Sequence, residues 1–123
     1  MKLVTAIVRS EQLDEIIDAV IDNGGRGLTA TTVRGFGQQF GERGQRAAEA
    51  HTDATLGPPL SRRAVLLTKV RLDILVRDED AQAMADAIAK HARTGAIGDG
   101  KIWVSSVDSV LRVRTGEQDR DAV

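Results

Sequence analysis

Three glycines precede one lysine near the C-terminal end of the chain, and of all groups in the sequence this one is best suited to bind a ligand. Gly95, Gly98 and Gly100 lie just before Lys101, in a segment too rich in glycine to be a helix or a strand. Glycine adopts positive φ easily and lets backbone N–H groups approach a ligand, and successive N–H groups in such a loop can form a concave anion site. Lysine adds a mobile positive charge that suits phosphate. The pattern favours a phosphate-binding loop and an ordinary glycine turn about equally.

Two arginines follow in a stretch that is rich in β-branched residues. Arg112 and Arg114 are two positions apart, so an extended backbone through this stretch would point both guanidinium groups to one face. We place a short extra strand at residues 110–113. Together with Lys101 the two arginines would offer three cations to a polyphosphate, and each charge-assisted hydrogen bond contributes roughly 1.5–3 kcal/mol. A solvated strand face is the alternative interpretation.

Composition limits the classes of protein to which the chain can belong. With 123 residues and a net charge of −1, we expect a single domain over residues 1–123 and no broad basic surface for nucleic acid. The chain has no cysteine, so disulfides and thiolate metal sites are excluded. The longest apolar run, residues 64–67, is far too short to cross a bilayer. Charge at Arg9 argues against a signal peptide, and we expect a soluble cytoplasmic protein without direct membrane insertion.

Apolar patterns along the chain predict an alternation of strands and helices. In chain order we predict a strand at 2–9, a helix from 10 or 11 to about 23, strands at 28–33 and 70–76, a helix from 78 or 80 to 92, and a strand at 101–105. This order predicts an α+β, ferredoxin-like βαββαβ domain, in which an antiparallel sheet has two helices on one face. Because Ile74 and Leu75 make both faces of the third strand apolar, we expect another subunit to cover the other face. The tail after Gly116 is expected to fray.

One long segment, residues 35–68, connects the second and third predicted strands. Connections longer than about 12–15 residues are usually functional or disordered, so we expect this segment to contact another molecule. Its alanine-rich part, residues 42–54, could become helical on binding. A disordered insertion without a role is the alternative.

These features together resemble the PII signal-transduction family. The glycine and lysine segment, residues 94–102, and the arginine segment, residues 112–117, are similar to the C-terminal signature of that family. Residues 2–8 and 13–15 resemble the first strand and helix of that family. Residues 27–29 and 33–39 resemble its second strand and the entry to its long T-loop, and residues 69–72 resemble the exit of that loop. The resemblance implies a homotrimer with a T-loop at about residues 36–68, a B-loop at about 94–101 and a C-terminal loop at about 112–123.

The resemblance also implies a regulator rather than an enzyme. Members of the family sense adenine nucleotides, mainly ATP against ADP, in the clefts between subunits, and many also bind 2-oxoglutarate with Mg-ATP. They pass the state of the site through the T-loop to a target transporter or enzyme. For this chain the resemblance implies such a role in nitrogen metabolism or, as an open alternative, in carbon metabolism with bicarbonate transport. AMP is a further candidate ligand.

The resemblance assigns roles to individual residues of the nucleotide site. Phosphates would be held by Gly98, Gly100, Lys101, Arg112 and Arg114, with Asp99 in the same nucleotide-binding loop. The adenine pocket would be lined by Ile7, Thr29 and Leu75. The base of the T-loop would bring Gly37 and Gln38 to the phosphates. Gln39 would help to hold magnesium and 2-oxoglutarate, and Lys69 would pair with a 2-oxoglutarate carboxylate.

The chain departs from the family pattern at several points. It has no tyrosine, so the tyrosyl nucleotidylation of the T-loop that many members undergo is impossible. Gln38 stands where the family usually has arginine, which removes a cation near the terminal phosphate. Ala96 and Phe40 replace common lysines, and the T-loop is longer than usual. We therefore expect nucleotide binding to persist, with ADP or AMP favoured over ATP and with weak or no binding of 2-oxoglutarate.

Two other classes of function remain as alternatives. A ferredoxin-like enzyme that moves a phosphoryl group would need an acid or histidine near the glycines, and only Asp99 lies there. An RNA-binding module stacks bases on aromatic side chains, and this chain has only Phe36, Phe40 and Trp103. His51 with its acidic neighbours could hold a metal, but it lacks ligand spacing, so we expect a solvated loop there and no firm metal site.

Overall fold

The computed structural model, which describes residues 1–37 and 66–123, has the order of elements that the apolar patterns predict. The strands and helices are β1 (Lys2–Val8), α1 (Leu13–Asp22), β2 (Thr29–Gly35), β3 (Leu67–Val76), α2 (Ala81–Ala92) and β4 (Lys101–Ser106). The strands form an antiparallel sheet in the order β2-β3-β1-β4. The predicted α+β, ferredoxin-like fold is therefore confirmed. None of the helices in the described ranges is long and apolar enough to span a bilayer.

Alternate residues of the central strands point toward the helices and form the core. Strand side chains alternate between the two faces of a sheet, and the buried positions of β1 on this face are Val4, Ala6 and Val8. The core is completed from β3 and from the two helices by Val70, Leu72, Ile74, Ile16, Val20, Met84 and Ile88. This packing holds α2 across the sheet and fixes where the loop between α2 and β4 begins and ends.

The other face of the sheet, which we call the open face, carries large apolar side chains that are half exposed. Trp103 of β4 is 44% exposed and Leu75 of β3 is 39% exposed. Thr5 of β1, directly opposite Trp103, is buried. Contiguous exposed apolar groups are typical of a surface that another protein covers. The open face therefore carries exposed apolar area, and its cover by a neighbouring subunit stays a prediction.

The two strands that flank the T-loop are longer than the sequence predicts. β2 ends at Gly35 rather than at residue 33, and β3 begins at Leu67 rather than at residue 70. The reason is backbone pairing, because Arg34 lies opposite Thr68 and Gly35 opposite Leu67. Residues 67 and 68, which the sequence assigns to the T-loop, are thus the first residues of β3. Residues 38–65, with the predicted helical part, lie outside the described residues.

The C-terminal segment, residues 107–123, corrects two predictions. The short strand predicted at residues 110–113 is absent, since Leu111 makes only an isolated β-bridge with Gln118. The tail is not frayed, because a short 3-10 helix forms at Asp119–Asp121. The N–H of Asp119 donates to the carbonyl of Val110 at 2.8 Å, which ties this short helix to the start of the segment.

Local hydrogen bonds explain why Arg112 and Arg114 do not lie on a strand. Gly116, with φ of 72°, reverses the chain in the left-handed region that glycine tolerates. The N–H of Arg112 then donates to the carbonyl of Glu117 at 2.9 Å, and the N–H of Gly116 donates to the carbonyl of Arg112 at 2.8 Å. This tight turn outweighs the β propensity of the flanking valines. The two arginines therefore do not share a strand face.

Candidate functional site

The glycine loop, residues 94–100, joins the end of α2 to the start of β4. Gly95, Gly98 and Gly100 have φ of 85°, 102° and 100°, a region that side chains with a Cβ rarely adopt. At Gly100 an added Cβ would lie 1.7 Å from the carbonyl oxygen of Ile7. The structure therefore shows why glycine is needed here: the loop bends through positive φ and presses its backbone onto β1.

Asp99 organises the glycine loop from within. Its carboxylate accepts hydrogen bonds from the N–H of Thr94 at 2.8 Å, from the N–H of Gly95 at 2.9 Å and from the Thr94 hydroxyl. It also accepts from Nε of Arg9 at 3.3 Å. The Thr94 hydroxyl contributes most to lowering the pKa of Asp99 below its ordinary value, the backbone N–H groups and Arg9 add to this effect, and desolvation opposes it. Asp99 is therefore an ionised group that gathers the donors of the loop around itself.

Two cations, one just after β1 and one on β3, bind carbonyl oxygens of the glycine loop. Nη2 of Arg9 donates to the carbonyl of Ile97 at 2.7 Å, and Nζ of Lys69 donates to the carbonyl of Gly98 at 2.8 Å. Carbonyl oxygens carry partial negative charge and would repel a phosphate, so their engagement by cations makes the loop more favourable for an anion. Lys69, which the resemblance assigns to 2-oxoglutarate, thus also contacts the loop.

Strand register places several predicted ligands on the open face at the same end of the sheet, which we call the loop end. Ile7 lies directly opposite Lys101 on one side and opposite Arg71 on the other, and directly opposed residues of antiparallel strands point to the same face. Lys101 is exposed there. The open face at the loop end therefore has an apolar residue between two cations, beside the glycine loop.

The base of the T-loop reaches the same end. Val33 lies opposite Lys69, whose Nζ contacts the glycine loop, and Gly37 follows four residues after Val33. The structure thus brings the described start of the T-loop toward the loop end. Gln38 and Gln39 lie outside the described residues.

The two other predicted adenine contacts lie farther along the open face. Thr29 is opposite Asp73, and Leu75 is opposite Leu3, so Leu75 is four residues along β3 from Arg71, or about 13 Å at the rise of a strand. Leu75 also lines a cavity together with Gly25, Arg26, Arg77 and Val123, among other residues. Within one protomer, Leu75 and the glycine loop therefore do not form a single compact pocket.

The sequence analysis did not identify Arg71 as a member of this group. Nε and Nη2 of Arg71 donate to the two carboxylate oxygens of Asp73 at 2.8 and 3.1 Å, and the Thr5 hydroxyl also donates to Asp73 at 2.8 Å. The hydrogen bond from Arg71 lowers the pKa of Asp73, Thr5 adds to this effect, and burial opposes it. The sequence did indicate this pairing, because Arg71 and Asp73 are two positions apart on a predicted strand, and such residues share a face.

Arg112 and Arg114 lie in the C-terminal segment, which leaves the sheet at the end opposite the glycine loop. The N–H of Val107, just after β4, donates to the carbonyl of Met1 at 3.1 Å. Arg120 pairs with Glu79 at 2.6 Å, just before the start of α2, whereas the glycine loop follows the end of α2. A helix of 12 residues spans about 18 Å. The structure therefore anchors the C-terminal segment far from the glycine loop of the same protomer.

Within the C-terminal segment, Arg112 is held by anionic and polar groups. Its Nη1 donates to the Glu117 carboxylate, in a salt bridge of 2.5 Å, and its Nη2 donates to the carbonyl of Ala122 at 3.2 Å. The Thr115 hydroxyl donates to the same carboxylate at 2.8 Å. The Glu117 carboxylate already pairs with the Arg112 guanidinium, so the guanidinium is placed where it can bind an oxyanion.

The described residues give no sign of a metal cluster. In residues 1–37 and 66–123 no group of three or more His, Asp or Glu side chains is placed to hold a metal ion. His51 and the acidic residues near it lie outside these ranges.

Comparison with known proteins identifies the family of the chain. The family model for nitrogen regulatory protein P-II matches residues 1–117. Nitrogen regulatory protein P-II 2 of Methanothermobacter thermautotrophicus is 42% identical over 123 residues, which is all of this chain and 97% of the relative. Nitrogen regulatory proteins P-II of Rhizobium meliloti and of Synechocystis are 40% and 39% identical over the full length of both chains. The family predicted from the sequence is confirmed: the chain belongs to the nitrogen regulatory protein P-II family, whose members are regulatory proteins and not enzymes.

Proposed function

We propose that this regulator binds ATP or ADP, with AMP as a further candidate, in clefts between the protomers of a homotrimer. The nucleotide state is then passed through the T-loop, residues 36–66 between β2 and β3, to a target transporter or enzyme of nitrogen or carbon metabolism in the cytoplasm. The coarse part of this function, signal transduction by a PII protein, follows from the family. The nucleotide, the trimer and the target are the proposal.

The observation that carries the proposal is the separation of the predicted phosphate ligands within one protomer. Lys101 and the glycine loop lie at the loop end of the sheet, whereas Arg112 belongs to a segment anchored near Met1 and Glu79. One nucleotide can contact both groups if the C-terminal segment of one protomer meets the glycine loop of its neighbour. Head-to-tail contacts form a ring when the rotation between neighbours closes, as a homotrimer requires, and the half-exposed apolar residues of the open face supply area for such contacts.

The residues present fit the phosphates of an adenine nucleotide. Gly98 and Gly100 bring bare backbone to the loop surface through positive φ, and Lys101 follows directly as a point charge. Arg112 would exchange the Glu117 carboxylate for a phosphate oxygen, which has similar geometry and more charge. Ile7, between Lys101 and Arg71, offers an apolar surface for the base. A bound nucleotide would supply a number of phosphate charges that differs between ATP, ADP and AMP.

Signalling requires that the ligands make different contacts with the two conformations of the T-loop. A ligand shifts a conformational equilibrium only by its difference in affinity for the two states. Gly37 lies just after β2, whose end pairs with the strand that carries Lys69. A terminal phosphate at the glycine loop would therefore be close to the start of the T-loop. This arrangement supports coupling between the nucleotide and the loop, with Gln38 as the residue that would contact the phosphates.

Titration calorimetry with ATP, ADP and AMP tests the proposed function. We expect saturable binding of at least ATP or ADP with a stoichiometry of one nucleotide per chain, and no sustained hydrolysis of ATP. A protein that binds none of the three nucleotides contradicts the proposal. Turnover of ATP at rates typical of enzymes would favour the phosphoryl-transfer alternative instead.

A further inference from the structure

We propose that Arg9 and Asp99 are positioning residues that hold the glycine loop in the conformation needed for an anion. This inference rests on the proposed function, because the anion in question is the phosphate of the nucleotide. Asp99 itself would not bind the ligand. It would act through the backbone of residues 94–100, and Arg9 would act through Asp99 and Ile97.

The contacts of Asp99 close the loop on itself. Its carboxylate lies near the end of the loop and accepts two backbone N–H groups from the start of the loop, those of Thr94 and Gly95. The hydroxyl of Thr94 bridges the turn, because it accepts a hydrogen bond from the N–H of Ala96 at 3.2 Å and donates one to the Asp99 carboxylate. The two backbone N–H groups that Asp99 binds belong to residues four and five positions before it in the sequence. Removing the carboxylate would therefore release both halves of the loop together.

Arg9 ties the closed loop to the sheet. Its side chain is only 16% exposed, and its guanidinium donates in two directions, to Asp99 at 3.3 Å and to the carbonyl of Ile97 at 2.7 Å. Arginine presents a planar fork of donors that remains charged at any pH relevant to the protein. Lysine keeps the charge but lacks the fork, so it cannot reproduce both contacts with the same geometry.

The balance of charge also supports a positioning role. A lone carboxylate beside a phosphate would repel it, yet Asp99 is a member of the proposed anion loop. Its charge is directed at four donors, from Arg9, Thr94 and Gly95. A positioning role and a simple charge effect therefore predict opposite changes in nucleotide affinity when the carboxylate is removed. Loss of the charge should strengthen nucleotide binding if only electrostatics matter, and should weaken it if the loop needs the carboxylate.

The first test compares Asp99→Asn with the wild-type protein by titration calorimetry with ATP. The asparagine side chain is similar in size, but it turns one acceptor into a donor that faces other donors. We expect at least tenfold weaker binding of ATP. Asp14→Asn, on the exposed side of α1, removes the same charge away from the loop and should leave the affinity within twofold of wild type. Unchanged or tighter binding by Asp99→Asn overturns the proposal.

Arg9 supplies the second arm of the test. Arg9→Met should weaken ATP binding in the same way as Asp99→Asn, and Arg9→Lys should restore only part of the lost affinity. The double variant should bind ATP about as weakly as the weaker-binding single variant, because both residues act through one loop. Full rescue by Arg9→Lys would mean that the charge alone matters and would overturn the positioning role.

Hydrogen exchange without any nucleotide separates this inference from the proposed function. In both Asp99→Asn and Arg9→Met we expect faster exchange of the backbone amides of residues 94–100, with the amides of β1 and β3 still protected. If the wild-type protein binds no adenine nucleotide, the proposed function fails, and the exchange rates still decide whether Arg9 and Asp99 hold the loop. Loop amides that exchange as in wild type overturn the inference.

Discussion

Gly100 lies against the backbone of Ile7 so closely that a Cβ on the glycine would be 1.7 Å from the Ile7 carbonyl oxygen. No side-chain rearrangement can relieve this contact, because the obstructing atom belongs to the β1 backbone. The residue after Gly100 is Lys101, which lies opposite Ile7 in the sheet. The glycine thus determines both the path of the loop and the position where the proposed phosphate lysine enters β4.

Substitution of the glycines by alanine should therefore separate two costs. In Gly100→Ala the positive φ and the clash act together, and we expect a loss of more than about 3 kcal/mol in the free energy of unfolding. Gly95→Ala has only the positive φ, since nothing lies within 4 Å of its added Cβ, and should cost about 1–2 kcal/mol. Chemical denaturation at one fixed protein concentration measures both values.

Gly27→Ala is the matched control for this series. Its added Cβ meets nothing within 4 Å, and its φ is not positive, so the variant should keep wild-type stability or gain up to about 1 kcal/mol. Equal losses for Gly27→Ala and Gly100→Ala would contradict the structural explanation, because they would show that alanine itself, and not the contact with Ile7, is responsible.

The lowered pKa of Asp99 predicts a dependence of stability on pH. A carboxylate that is stabilised in the folded state contributes its full share above the unfolded pKa, near 3.9, and that share is lost as pH falls toward the lower folded pKa. The difference in free energy of unfolding between wild type and Asp99→Asn should therefore be constant from about pH 7 to 5 and shrink below about pH 4. Denaturation curves at several pH values measure this difference.

The other lowered carboxylates do not interfere with this comparison. Asp73 and Asp78 also have lowered pKa values, through hydrogen bonds from Arg71 and from the N-terminal amine, but they are present in both proteins and cancel in the difference. A difference that closes already at pH 6, or that stays constant down to pH 3, would be inconsistent with an ionised Asp99 held by its donors.

Arg112→Ala should weaken nucleotide binding by about ten- to hundredfold, because it removes a charge-assisted hydrogen bond of roughly 1.5–3 kcal/mol. The fold should change little, since exposed salt bridges such as Arg112–Glu117 contribute about 0–1 kcal/mol. Arg120→Ala, which breaks the more exposed pair with Glu79, is the control and should bind as wild type. Calorimetry on the three proteins makes the comparison, and equal affinities for all of them would exclude Arg112 as a phosphate ligand.

2-Oxoglutarate should bind weakly or not at all, even in the presence of Mg-ATP. The reasons are Gln38, in place of the arginine usual in the family, and the altered T-loop around it. Lys69, the proposed partner of a 2-oxoglutarate carboxylate, already donates to the carbonyl of Gly98, so a new contact would compete with the glycine loop. Calorimetric titration of 2-oxoglutarate into the ATP-loaded protein is the measurement, and tight binding that depends on ATP would refute this expectation.

Sequence reasoning succeeded where the relevant physics is local. Strand alternation and helical spacing predict the order of elements, and the positive φ of Gly95, Gly98 and Gly100 follows from the unusual freedom of glycine. It failed in the C-terminal segment, where a glycine turn outweighs the β propensity of the valines. The strand expected at residues 110–113 is replaced by a turn that Gly116 and Glu117 stabilise.

Long-range contacts set the limits of what the sequence could predict about the site. The pairing of Arg9 with Asp99 joins residues 90 positions apart, and nothing local indicates it. The extension of β2 and β3 to Gly35 and Leu67 depends on pairing across the T-loop. The separation of Arg112 from Lys101 within one protomer likewise appears only when the sheet register is known.

A site shared between protomers can be tested directly by subunit complementation. Lys101→Ala and Arg112→Ala chains with different affinity tags are co-expressed, mixed oligomers are purified through both tags, and ATP is titrated into them by calorimetry. In a closed ring of three, a mixed oligomer contains one cleft with both residues intact. We predict weak binding by each variant alone and wild-type affinity at about one third of the sites in the mixed oligomers. Mixed oligomers that bind no better than either variant alone would contradict a nucleotide site built from two protomers.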